Sequence, residues 1–140
     1  MHKICITLVM AALFILMCGC NASKKNELPI PPVDLLGNTE RIVHGQQLFA
    51  AHCAECHGSI AEGRTQRAAR LTPFPPDFYE IRYRKALPGY LYRRIEQGRK
   101  MEPFRSRGSV MPPWRRHLDQ EQIWSLVAFI RNRAGVNVLK

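Results

Sequence analysis

Cys53-Ala54-Glu55-Cys56-His57 sets two thiols and an imidazole within five consecutive residues. Thiols three positions apart on a helix end can take up the two vinyl groups of a haem as thioethers. The histidine beside them is then carried under the ring, with a nitrogen toward the iron. Two other chemistries use paired thiols. A thioredoxin-like dithiol wants a strand before it and a long helix after it, whereas a helical pattern precedes this pair and loop residues follow. Structural zinc wants four ligands, commonly in two pairs, and His44 and His52 complete such a set only by contortion. The spacing therefore points to covalent haem c on Cys53 and Cys56, with His57 as proximal iron ligand.

Helices must carry this motif. Ile42, Gly45, Phe49, His52 and Cys53 recur at spacings of three and four and share one helix face. Thr39 is a suitable N-cap for that helix, and Glu40 favours its first turn through the helix dipole. Gly45 costs about 1 kcal/mol relative to Ala inside a helix, which a close helix–helix approach would explain. Leu87-Pro88-Gly89 opens a second helix that runs through Leu91 and Ile95 and stops at Gly98. The last helix is the clearest. Asp119 and Gln122 form a capping box, Ile123, Leu126, Val127 and Ile130 make an apolar stripe, and Arg131 and Arg133 close it before Gly135. No sustained period-two alternation separates these helices, so the class is all-α.

The chain begins differently. His2 and Lys3 precede an apolar run from Ile4 to Met17, the pattern and length of an export signal and short for a membrane span of roughly 20 residues. The run ends in Cys18-Gly19-Cys20, which resembles a bacterial lipobox with Cys20 as the lipidated residue. Residues 1–19 are thus expected to be a lipoprotein-type signal peptide, and 20–38, with Pro29, Pro31 and Pro32, a flexible tether. Residues 39–140 would form the folded domain. Cleavage ahead of Cys20 leaves that residue for lipid and Cys53 and Cys56 for haem. An exported chain permits disulfides, but no cysteine is left over for one.

Taken together, the folded residues resemble a short bacterial class I cytochrome c, from about Thr39 to Gly135. Gly45 and Phe49 match that family's first-helix glycine and aromatic, and Gly58 its glycine after the proximal histidine. Pro75-Pro76-Asp77-Phe78 is similar to its proline-rich segment, and Trp124 to Arg131 to its last helix. The resemblance implies three to five short helices wrapped around one haem, with the first and last crossing closely. It also implies a distal methionine in a loop, after a glycine and before proline and an aromatic. Gly108-Ser109-Val110-Met111-Pro112-Pro113-Trp114 fits, eight residues ahead of Asp119. Met101-Glu102-Pro103-Phe104 is a partial imitation lying 18 residues ahead, and Arg99 to Arg107 looks like an insertion. Met111 is accordingly expected to be the distal iron ligand. His44, His52 and His117 are read as non-ligands. A proline carbonyl orients the histidine in that family, and Pro73, Pro75 and Pro76 all qualify.

Histidine and methionine on the two axial positions leave no coordination site for a substrate. That favours an electron carrier over an enzyme, and methionine sulfur favours the ferrous state. Twenty-one Lys and Arg against eleven Asp and Glu give a formal charge of +10. Nucleic acid is excluded as a partner for an exported haem protein. Electrostatic docking onto an acidic redox partner is the functional reading of the charge, with Arg115 and Arg116 beside the ligand loop. The expected location is periplasmic or extracytoplasmic, with a lipid anchor in the membrane. Two alternatives remain: a haem-based sensor or gas-binding module in which Met111 is displaced, and a cytochrome subunit of a larger oxidoreductase complex.

Overall fold

The computed structural model describes residues 27–59 and 65–134. The expected signal peptide and Cys20 lie outside the described residues. Among those described, the ordered elements are helical: α1 Thr39–His52, α2 Ala54–His57, α3 Gln66–Ala69, α4 Ile81–Lys85, α5 Pro88–Gln97 and α6 Gln120–Arg133. Single 3-10 turns follow at Gly98–Lys100 and Trp114–Arg116. The all-α class is as expected. The six α-helical segments exceed the expected three to five because the regions around the haem motif and the proline-rich segment add one-turn pieces of four or five residues.

Capping sets where the long helices begin. The Asn38 side chain, not Thr39, caps α1 by accepting from the Arg41 amide at 2.9 Å. Asn38 is in turn held by the Asp34 carboxylate at 2.7 Å. At α6 the capping box is complete: Asp119 accepts from the Gln122 amide at 2.8 Å, and Gln122 accepts from the Asp119 amide at 2.9 Å. Both caps satisfy amides that a helix start leaves unpaired.

Helix α6 is the hub, touching α1, α4 and α5. Its expected stripe of Ile123, Leu126, Val127 and Ile130 is buried, and so are Trp124, Ser125, Ala128 and Phe129. A helix with partners on several sides buries most of its circumference. Against it α1 crosses at Gly45. A Cβ on that residue would overlap the Ser125 carbonyl and stand 2.9 Å from the Phe129 Cβ. The close approach that the sequence suggested for Gly45 is thus present, and it brings the Phe49 and Phe129 rings to 5.1 Å. On the other side of α6, Trp124 packs on Tyr92 of α5 at 4.4 Å between centroids.

The folded part starts earlier than Thr39. Leu35 is buried in the core, Asp34 lies 3.8 Å from Arg41, and the backbone at Pro29 abuts Gly89 of α5. Arg93 also bonds the Glu27 carbonyl. The second half of the segment expected as a tether therefore lies on the domain. One buried leucine among prolines carries too little periodicity to be seen in sequence.

Replacing Gly45 tests the crossing. Gly45→Ala improves helix propensity by about 1 kcal/mol, yet it should lower the unfolding free energy by about 2 kcal/mol, because the clashing atom is backbone and cannot swing away. Denaturant unfolding followed by circular dichroism measures this. An unchanged or raised midpoint would mean that α1 and α6 separate freely.

Candidate functional site

The site begins where α1 breaks. The Cys53 amide donates to the Phe49 carbonyl at 2.9 Å, ending α1, and the amides of Cys56 and His57 then donate to the Cys53 carbonyl at 3.1 and 2.9 Å. Cys53 is at once the last cap of α1 and the first of α2. The two thiols therefore straddle a break between two helices, and both are unoxidised and half-buried. Burial pushes the Cys53 thiol up to about 12, helped by the neighbouring Cys56. Half-buried against the apolar core, the Cys53 sulfur stays a neutral thiol at ordinary pH.

His57 follows on the same turn. Its Nδ1 lies 2.8 Å from the Pro76 carbonyl oxygen. A carbonyl only accepts, so Nδ1 carries the proton and the lone pair sits on Nε2, the nitrogen suited to a metal. Of the three prolines left open by the sequence, Pro76 supplies the carbonyl. The imidazole is held by stacking as well: the Phe78 ring lies 4.8 Å away at 26°. Phe78 reaches it from a left-handed backbone, φ 65°, unusual for a residue with a Cβ. Tyr83 and Phe49 meet Phe78 edge-on at 4.9 and 6.1 Å, completing an aromatic cluster behind the histidine.

Met111 is half-buried and packs on the same core as Cys53 and Trp114. Both its backbone groups are engaged. Its carbonyl accepts from the Arg99 amide at 2.7 Å, and its amide donates to the Ser109 hydroxyl at 3.4 Å. Ser109 is held in turn by the Arg94 guanidinium at 3.0 Å, which lies 3.9 Å over the Phe104 ring and bonds the Gly98 carbonyl. Gly98 has φ 52°, and a Cβ there would overlap the Pro112 carbonyl. Only glycine satisfies both constraints. The Met111 loop meets the end of α1, just before Cys53, where Trp114 stands 5.5 Å from the His52 ring. Met101 ends the 3-10 turn at Gly98–Lys100 and caps the Arg99–Arg107 loop, its carbonyl accepting from the Arg105 amide at 3.0 Å.

The donor set fits a haem: two thiols on one helix break, an imidazole with its lone pair on Nε2, and apolar and aromatic walls. Sequence reasoning missed three contributors. Phe78 was noticed only as part of a proline-rich string. Arg94 looked like any other basic residue of α5. Arg133 was read as a helix-end charge, yet it is buried with its guanidinium on the carbonyls of Gly58 and Ser59. A basic docking role for Arg115 is weakened, because it pairs with Glu96 at 3.1 Å.

Residues 40–130 match the family model described as cytochrome C oxidase, cbb3-type, subunit III, and the chain belongs to this family of cytochrome c domains. A comparison with curated proteins finds no match.

The protonated Cys53 has a chemical consequence. In haem-free folded protein, alkylation of Cys53 by iodoacetamide should stay slow until the pH approaches 12, because the neutral thiol is a poor nucleophile. Peptide mass mapping across a pH series measures it. Full labelling of Cys53 at neutral pH would contradict the burial described.

Proposed function

We propose that the chain is a single-haem electron carrier in which Cys53 and Cys56 hold haem c and His57 and Met111 ligate its iron. Membership of a cytochrome c family already implies an electron-transferring haem protein. The observation that carries the finer reading is the bond from His57 Nδ1 to the Pro76 carbonyl, since it orients the imidazole and sets the tautomer that a proximal ligand needs. Haem, when bound, supplies an iron that accepts and returns one electron. The chain's own residues do the rest. Pro76 and Phe78 keep the His57 imidazole from rotating, the aromatic cluster gives it an apolar backing, and the clamped backbone at Met111 would position its sulfur. With His57 and Met111 both holding the iron, a bound haem would offer a substrate no place to coordinate, and the chemistry it would supply is electron transfer rather than catalysis.

Electrostatics support docking onto an acidic redox protein. Arg99, Lys100 and Arg105 line a surface cleft of about 430 Å³ with Ser109, adjoining the loop of Met111. No described carboxylate forms an ion pair with any of the three cations. Like charges gathered on one cleft raise the encounter rate with a negative surface. The family's printed description, an oxidase subunit, favours a second reading in which this domain serves inside a larger oxidoreductase complex.

The lipid anchor belongs to the same proposal. Signal cleavage before Cys20 and diacylglyceryl attachment to its sulfur would confine the domain to a membrane surface. More than one acyl chain makes such anchoring stable, and confinement raises the effective concentration near membrane-bound partners. No helix among the described residues is long and apolar enough to cross a membrane.

Three experiments test these statements. Purified protein should retain its haem through acid–acetone extraction. Met111→Ala should abolish the weak long-wavelength band of methionine on ferric haem and lower the potential, while Met101→Ala does neither. Haem lost on extraction, or the two variants reversed, overturns the ligand set. Cys20→Ser should leave an unprocessed, unlipidated chain that still carries haem, read by intact mass. A wild-type mass lacking lipid, or starting at Met1, overturns the anchor.

A further inference from the structure

We propose that Arg133 raises the reduction potential of the haem site through a buried charge that no described carboxylate neutralises, held against the backbone that leaves His57. The proposal rests on the reading of Cys53, Cys56 and His57 as the haem site. Its basis is the environment of one side chain.

Arg133 ends α6 and is only 4% exposed. One guanidinium nitrogen donates to the Gly58 carbonyl at 3.1 Å and the other to the Ser59 carbonyl at 3.2 Å. These are the two residues directly after His57, and Gly58 turns the chain there with φ 83°. The guanidinium carbon lies 4.3 Å from the Tyr79 ring centre and 5.1 Å from that of Phe49. Phe49 is itself 6.4 Å from the His57 ring. The remaining nitrogen, Nε, is buried without a partner. No described acidic residue forms an ion pair with this cation.

Burying a cation without a carboxylate is unfavourable. If Arg133 served only to anchor the end of α6, an apolar side chain would fill the same space without that penalty. Carbonyl oxygens and two aromatic faces solvate the charge without neutralising it. Its field therefore persists at the proximal ligand, where solvent and salt screen it little. Reduction adds one electron to the iron centre and lowers its net charge by one. A fixed cation nearby favours that reduced form, so the potential rises. The two carbonyl bonds serve to fix the guanidinium beside the turn that follows His57.

Arg131 provides the internal control. It lies in the same helical turn, but its guanidinium bonds the Arg84 carbonyl at 2.7 Å, away from the haem motif.

The test is spectroelectrochemical titration of the haem-loaded full chain against Arg133→Gln, Arg133→Lys and Arg131→Gln, with chemical unfolding in parallel. Arg133→Gln keeps a donor but loses the charge. It should shift the ferrous-to-ferric ratio about tenfold toward ferric at fixed potential, about 59 mV for one electron. Arg133→Lys should stay near wild type, and so should Arg131→Gln. A merely structural role would lower the unfolding midpoint in the Gln and Lys variants while leaving the potential alone, and that result overturns the proposal. An equal fall in potential for Gln and Lys also overturns it, since charge would not be the cause. A wild-type chain without covalent haem overturns this proposal and the haem-site reading together, and the acid–acetone extraction tells that failure apart.

Discussion

The crossing of α1 and α6 at Gly45 is the constraint on which the remaining geometry hangs. Because the α1 backbone there lies against the Ser125 carbonyl, the two helices sit too close to admit even a methyl group at the contact. That distance brings Phe49 onto Phe129, and Phe49 stands one turn before Cys53. The helix break carrying both thiols is therefore placed by a contact made two turns earlier. Moving α1 outward by one methyl group would shift Cys53, Cys56 and His57 together. Close packing transmits such displacements because the interior has no slack to absorb them.

The histidine is held by three different forces acting in different directions. The Pro76 carbonyl restrains Nδ1 along the ring plane, Phe78 restrains the ring face, and α2 restrains the backbone. A hydrogen bond alone would leave rotation about its own axis, and stacking alone would leave sliding. Together they leave neither. The left-handed backbone at Phe78 is an unfavourable conformation for a residue with a Cβ. Its persistence is consistent with the need for a ring at that face.

How much was legible in the sequence depends on how local each signal is. The thiol pair, His57 and the Asp119–Gln122 box were readable because each is complete within a few residues. The choice of Pro76 among three prolines was not, since it depends on where a loop crosses the histidine. Arg131 and Arg133 look alike in sequence. They lie two positions apart on α6, about 200° around the helix axis. One consequently faces Arg84 of α4 and the other the turn after His57. The burial of Trp124, Ser125, Ala128 and Phe129 was equally hidden, because a stripe shows which face is apolar but not how many neighbours a helix will have. Leu35 lacked any periodic context at all.

The loop that presents Met111 poses the opposite problem from the helices, since it has no repeating hydrogen bonds of its own. It is built instead from single contacts that converge on a few atoms. Arg94 spans it from inside, bonding Gly98 at its start and Ser109 near its end, with Phe104 stacked on the guanidinium. Burial pushes the Arg94 pKa down, the expected direction for a cation that has given up water. Like Arg133, this guanidinium rests on an aromatic face and on uncharged oxygens, here the Gly98 carbonyl and the Ser109 hydroxyl, with no described carboxylate paired to it. One such arginine stands behind the segment after His57 and the other behind the segment before Met111. Each of the two proposed iron ligands thus has a guanidinium bonded to the chain beside it. With haem bound, such cations would disfavour the ferric form, and their bonds would stiffen the two pieces of chain that hold the ligands. An electron carrier benefits from both effects, because a site that moves little between oxidation states has little to reorganise when the electron passes.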